Sequence, residues 1–254
     1  MALVLRSLGN TGIRVSPVGL GTVKFGRNSG VRYPRSFELP EDAALERLLA
    51  VARECGINLL DTAPAYGTSE ARLGRLLSGT RDQWIISTKS GENFIDNSST
   101  FDFSEKGTRR SVEQSLRLLG TDYLDIVLVH CSDDDLAVVN RSDALETLSR
   151  LKDKGMIRAF GASTKTLEGG LAALDRCDIV MATYNMDDTS QSGVLDKALE
   201  LGKGVFVKKA LESGHSRDAA SALRFVLDHP AVSSVIVGTI NEDHLRANVI
   251  AASS

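Results

Sequence analysis

The chain has 254 residues, a length that one large domain fills and that (β/α)8 barrels commonly occupy as a single unit. Thirty Lys and Arg face 33 Asp and Glu for a net charge of −3, with no basic stripe, so neither nucleic acid nor an anionic membrane is the expected partner. Cys55, Cys131 and Cys177 are odd in number and in no metal-ligand spacing, Met1 to Arg6 is too short and too soon charged for a signal peptide, and no apolar run approaches the ~20 residues of a membrane helix; a cytoplasmic protein with reduced thiols and no metal is expected.

In chain order, the opening 5–8 and 13–16, joined by Gly9-Asn10-Thr11-Gly12, read as a β-hairpin. Short β-branched runs then alternate with longer helical patterns. Strands are predicted at 18–21, 58–61, 84–89, 124–130, 157–163, 179–183, 204–208 and 234–237. Helices are predicted at 41–55, 69–77, 104–119, 144–154, 166–174, 191–201, 217–228 and 242–250. In the first, Ala44, Leu45, Leu48, Leu49 and Ala52 recur at helical spacing behind Pro40. Gly56, Gly120, Gly155 and Gly202 follow four helices closely, as C-terminal glycines do. Eight strand–helix units, with no Gly-x-Gly-x-x-Gly after the first strand, favour a closed (β/α)8 TIM barrel over a doubly wound sheet. The expected organisation is one barrel domain over 1–254, with the hairpin closing its N-terminal floor.

Active sites of such barrels lie at the C-terminal ends of the strands. Asp61 ends the second strand, Tyr66 lies in the Pro64-containing loop behind it, Lys89 ends the third and His130 ends the fourth. A free phenol, with a pKa of about 10, donates a proton poorly near neutrality. A neighbouring ammonium, Lys89, would lower that pKa, and Asp61 would keep Lys89 charged despite burial. His130 would hydrogen-bond and orient a substrate oxygen. The set suits protonation of a carbonyl oxygen, and since no redox centre is visible, the hydride must be borrowed.

The chain resembles the aldo-keto reductase family nearly end to end. The resemblance rests on Val18-Gly19-Leu20-Gly21-Thr22, then Asp61-Thr62-Ala63 with Tyr66-Gly67 and Ser69-Glu70, then Thr88-Lys89, Leu128-Val129-His130, Lys154-Gly155-Met156-Ile157-Arg158, Gly161-Ala162-Ser163, Tyr184-Asn185 and Val235-Ile236-Val237-Gly238. It implies an NAD(P)H-dependent reductase of aldehydes and ketones. Tyr66 would be the proton donor, Lys89 and Asp61 its tuning pair, and His130 the orienting group. It also implies cofactor contacts at Gly21, Thr22, Asp61, Ser163 and Thr164, the last two where the family usually has Ser-Asn on the nicotinamide carboxamide. Met181 stands where the family commonly has glutamine. Lys208 and Lys209 occupy a position that often carries a stacking aromatic; they either pair with the pyrophosphate or form a solvated strand end. Gly238, Thr239, His244 and Asn248 fall on the adenine-side loop and helix, with Arg246 two residues beyond His244. No bidentate guanidinium is evident there, so NADPH is expected on family grounds, with NADH as its rival.

The 25–37 segment, with Phe25, Arg27, Arg32, Tyr33 and Arg35, and the 93–103 segment, with Phe94, Phe101 and Phe103, either wall the substrate pocket or pack on the rim. The acidic Asp133-Asp134-Asp135 loop after His130 reads as a solvated turn. Gly21 to Arg27 only imitates a P-loop, and strand alternation points Cys131 away from His130. Two other functions stay open at this level. One is a Schiff-base lyase using Lys89; the other is a catalytically silent nucleotide-sensing subunit. A small-molecule carbonyl substrate is expected, with no obligate protein partner.

Overall fold

The computed structural model describes residues 3–31, 33–34, 36–216 and 218–253; Arg32, Arg35 and Arg217 lie outside the described residues. A hairpin of β1 (Arg6–Ser7) and β2 (Arg14–Val15) precedes β3 (Val18–Gly21), α1 (Val23–Gly26) and α2 (Asp42–Glu54). Next come β4 (Leu59–Asp61), a 3₁₀ turn at Pro64–Tyr66, α3 (Ser69–Leu76), β5 (Ile85–Ser90) and a second hairpin, β6 (Glu92–Ile95) with β7 (Ser98–Phe101). The chain continues through α4 (Glu105–Leu119), β8 (Leu124–His130), α5 (Asp135–Arg141), α6 (Ala144–Asp153), β9 (Ile157–Ser163), α7 (Leu167–Leu174) and β10 (Ile179–Thr183). It ends with α8 (Ser192–Leu201), β11 (Gly204–Lys208), α9 (Ala219–Leu227), β12 (Ser234–Val237) and α10 (Glu242–Ala252). Among the described residues no helix is long and apolar enough to cross a membrane.

Eight parallel strands close a barrel in the order β10-β11-β12-β3-β4-β5-β8-β9. The predicted strands match those observed to within one residue at each end. Side-chain alternation then splits the core into two layers. Val127 and Val129 of β8 join the large apolar layer under the helices. Ile126 and Leu128 face the barrel interior with Leu59, Ile179, Met181 and Phe206. Carrying the same parity upward puts Asp61, Lys89, His130, Ser163 and Lys208 inward at the rim. The first hairpin supplies Leu8, Ile13 and Val15 to the interior layer and so plugs the floor as expected. Arg6 locks it there by donating to the carbonyls of Leu227 and Val232.

Three features go beyond the expectation. The 93–103 segment, expected either to wall the pocket or to pack on the rim, forms the β6–β7 hairpin. Its turn residues Asp96 and Asn97 have φ of 50° and 59°, the signature of a two-residue type I′ loop. Phe25 belongs to the short α1 and is fully buried, so it packs beneath the rim and walls no pocket. The acidic loop after His130 is solvated at Asp133 and Asp134, as expected, but not at Asp135. Asp135 is buried and accepts hydrogen bonds from the Lys165 and Thr166 backbone N–H groups and from Thr166 Oγ1.

Candidate active site

Four inward positions on three adjacent strands and the turn behind them form one cluster. Lys89 Nζ donates to Asp61 Oδ2 at 2.7 Å and to the Thr62 carbonyl at 2.8 Å, and both charged side chains are almost wholly buried. Ser87 Oγ donates to the other Asp61 oxygen at 3.1 Å. Pro64 starts the 3₁₀ turn that returns Tyr66 over this pair, leaving Lys89 Nζ 4.8 Å from the centre of its ring. His130 meets Tyr66 edge-on, with ring centres 6.4 Å apart and planes at 88°.

The electrostatics divide the labour. Burial works against the Lys89 charge, but Asp61 and Tyr66 outweigh it and hold the ammonium above the ordinary lysine range. An ammonium has no lone pair with which to attack a carbonyl, which removes the basis for a Schiff-base lyase. Burial also dominates at Tyr66 and raises the phenol above its usual value, while Lys89 pulls the other way. The expected lowering is thus not the resting condition: Tyr66 rests protonated, and Lys89 becomes most effective when negative charge develops on the phenol oxygen. His130 is held below the ordinary histidine value, first by burial, against the opposing pull of Glu92. Burial pushes the Cys131 thiol up to about 12, so it is no nucleophile.

Asp61, Tyr66, Lys89 and His130 open into one cavity together with Gly21, Ser163, Met181, Lys208, Lys209 and Gly238. A second cavity lined by Thr239, His244 and Asn248 adjoins it, sharing Tyr33, Val237 and Gly238, so the two form an elongated groove toward the N-terminus of α10. Two of the expected cofactor residues do not line it. Thr22 is fully buried, donating to the Asp61 carbonyl and bonded to Ser69 Oγ. Thr164 is buried behind the wall and offers its carbonyl to Lys208. The Lys208 ammonium reaches across β10 to Ser163 Oγ at 2.8 Å and Thr164 O at 2.6 Å. Burial first, then Lys209, push it down to about 7. Arg246 is engaged elsewhere, 2.9 Å from Glu54.

Glu92 was missed at the sequence level. Its carboxylate Oε2 lies 2.7 Å from His130 Nδ1. The available signal was the Asp96-Asn97 hairpin turn, which returns a strand to the rim directly after Lys89. Of the aromatics proposed as walls, Tyr33 lines the cavity. Phe94 instead packs under the Arg27 guanidinium, 3.2 Å from its ring centre.

Comparison with known proteins converges on the same chemistry. The Aldo/keto reductase family model matches residues 17–220. The L-galactose dehydrogenase of Arabidopsis thaliana is 29% identical over 292 residues, covering 97% of this chain and 87% of that protein. The NADH-specific methylglyoxal reductase of Escherichia coli is 31% identical over 223 residues, covering 82% of this chain and 67% of its own. Among solved structures, a putative aldo-keto reductase from Pseudomonas aeruginosa superposes with a TM-score of 0.91 at 48% identity, covering 98% of this chain and 94% of that one. The holo form of an aldo-keto reductase from Bacillus halodurans gives 0.84 at 25% identity, covering 99% and 91%. An eight-stranded parallel barrel with a buried acid–lysine pair beneath a tyrosine, matched along most of its length by these relatives, belongs to the aldo/keto reductase family of NAD(P)H-dependent oxidoreductases.

Proposed function

We propose that Tyr66 protonates the oxygen of a small aldehyde or ketone while the nicotinamide cofactor supplies the hydride. The observation that carries this reading is the Lys89 ammonium, buried between the Asp61 carboxylate and the Tyr66 ring at the floor of the cavity. As the phenol gives up its proton, Lys89 stabilises the phenolate, and Asp61 acts only by keeping Lys89 charged and in place. His130 stands across from Tyr66 and meets the substrate oxygen from the other side. The test is NAD(P)H oxidation by purified protein across a panel of aldehydes and ketones; cofactor binding without turnover across the panel would favour a nucleotide-sensing subunit instead.

The groove fits a dinucleotide. Ser163 and Lys208 would face the carboxamide, with Met181 between them and Thr164 held behind. Lys209 and Gly21 would flank the nicotinamide end. Gly238 leaves room for the Tyr33 hydroxyl, from which a Cβ there would sit only 2.6 Å. Thr239, His244 and Asn248 would hold the adenosine end beside the α10 N-terminus, a position suited to phosphate.

Lys208 replaces the polar contact that Met181 does not provide. Lys208→Met is expected to weaken NADH and NADPH binding alike, by about 10- to 100-fold, the range of a hydrogen bond to a charged group. The sign of the pH effect follows from its position near 7. Above that pH the free protein carries a neutral amine, so binding an anionic dinucleotide must take up a proton. Wild-type affinity should therefore fall as pH rises beyond about 7, and the slope should vanish in Lys208→Met. Fluorescence titration reads both; an unaltered slope in the variant would discard this role.

NADPH stands on the family expectation, but the 2′-phosphate end is poor in free positive charge. Arg246 is paired with Glu54, and Glu242 and Asp243 add negative charge to the first turn of α10. We infer weak discrimination: the dissociation constants of NADH and NADPH are expected to lie within about tenfold, or about 1.4 kcal/mol. A preference for NADPH of a hundredfold or more in the same titration would refute it.

A further inference from the structure

Glu92 lies outside the four residues of the proposed reaction, yet it makes the closest polar contact of His130. Its Oε2 is 2.7 Å from His130 Nδ1, an ion-pair contact that is not aligned as a hydrogen bond, and that nitrogen has no hydrogen-bond partner among the described residues. Two lone pairs repel at that distance, so the contact favours a proton on Nδ1, since a carboxylate has none to give. The contact is built into the fold. Gly91 turns the chain straight after β5 with φ of 101°, and a Cβ there would collide with the Phe103 ring at 2.4 Å. Ser99, across the hairpin, donates to Glu92 Oε1 at 2.6 Å. Arg27 adds a favourable charge from the neighbouring loop. Burial alone would raise the Glu92 carboxyl, but the His130 and Ser99 contacts outweigh it and draw it down to about 2, so it is ionised throughout the working range.

We propose that Glu92 is a positioning residue that fixes His130 as the Nδ1–H tautomer and leaves Nε2 as the nitrogen that meets substrate. This rests on the site reading given above and adds a direction to it. Neutral imidazole then presents a lone pair at Nε2, which accepts from an alcohol hydroxyl. Imidazolium presents N–H, which donates to a carbonyl oxygen. Protonation of His130 would thus favour carbonyl reduction, and its loss alcohol oxidation. The groups acting on the ring are Glu92, which favours the charged form, and Lys89 and Lys208, which with burial oppose it. Tyr66 faces it from the 3₁₀ turn.

The test is ¹⁵N–¹H correlation NMR of histidine-labelled protein, in which only four histidines give signals and His130→Gln assigns the one of interest. Wild-type His130 is expected as the Nδ1–H tautomer at neutral pH, and Glu92→Ala should lose that preference. In Glu92→Gln the alkaline limb of kcat/KM for reduction, along which His130 loses its proton, should move down by about one pH unit, a tenfold loss at a pH on that limb. An Nε2–H tautomer in the wild type overturns the proposal without need of any variant. An unchanged tautomer together with an unshifted limb in the Glu92 variants overturns it equally. The tautomer is read without turnover, so an inactive preparation would count against the Tyr66 assignment and leave this one standing or falling on its own.

Discussion

Tyr66→Phe is expected to lower kcat for carbonyl reduction by about 10²- to 10⁴-fold while leaving NAD(P)H affinity within about twofold, because it deletes the general acid and keeps the ring. The ring remains, and with it the edge-on packing against His130 and the cation–ring contact with Lys89. What disappears is the hydroxyl that protonates the substrate oxygen, an interaction made chiefly in the transition state, so kcat and kcat/KM should fall together. The phenol's raised pKa implies that the wild-type acid stays loaded across the neutral range. A variant retaining wild-type turnover would show that another group gives the proton.

The second large effect concerns the ion pair beneath that phenol. Asp61→Leu strands a buried ammonium and should cost about 3–5 kcal/mol of stability in urea unfolding, as should Lys89→Met for the carboxylate. The double variant should recover most of the loss, since replacing both ions by apolar groups of similar size removes two desolvation penalties at once. Its turnover should nevertheless stay at the level of Lys89→Met alone, because the tuning ammonium is gone. Recovery of stability without activity would separate the pair's structural part from its part in catalysis. Strict additivity of the two losses would mean the side chains do not act as a pair, contrary to their 2.7 Å contact.

The barrel was legible because its strands are short, β-branched and apolar on both faces, and because parity decides direction. Once Ile126 and Leu128 face inward, His130 must as well, and the same step places Asp61 beyond Leu59. What stayed hidden depends on side chains meeting across loops. Nothing in the local sequence indicates that Arg246 is claimed by Glu54, or that Lys208 reaches across a neighbouring strand to Ser163. The direction of the Tyr66 shift was misread for a related reason. A neighbouring charge can be guessed from strand order, whereas burial depends on the loops that close over the rim. Glu92 lay in a polar stretch with weak strand character, and the Asp96-Asn97 turn was its one local marker.

The floor plug has a temporal side. Leu8, Ile13 and Val15 leave the ribosome long before the residues that hold them: Arg6 binds the carbonyls of Leu227 and Val232, and the Pro17 carbonyl receives the Val235 N–H. The opening segment therefore cannot be seated until more than two hundred further residues have been synthesised. Until β12 arrives beside β3, the ring stays open and its first apolar residues lack their partners. Such long-range closure slows folding and prolongs exposure of sticky surface. In this chain the yield of soluble enzyme should accordingly be more sensitive to changes at the two ends of the chain that seal the barrel than to equally buried changes midway.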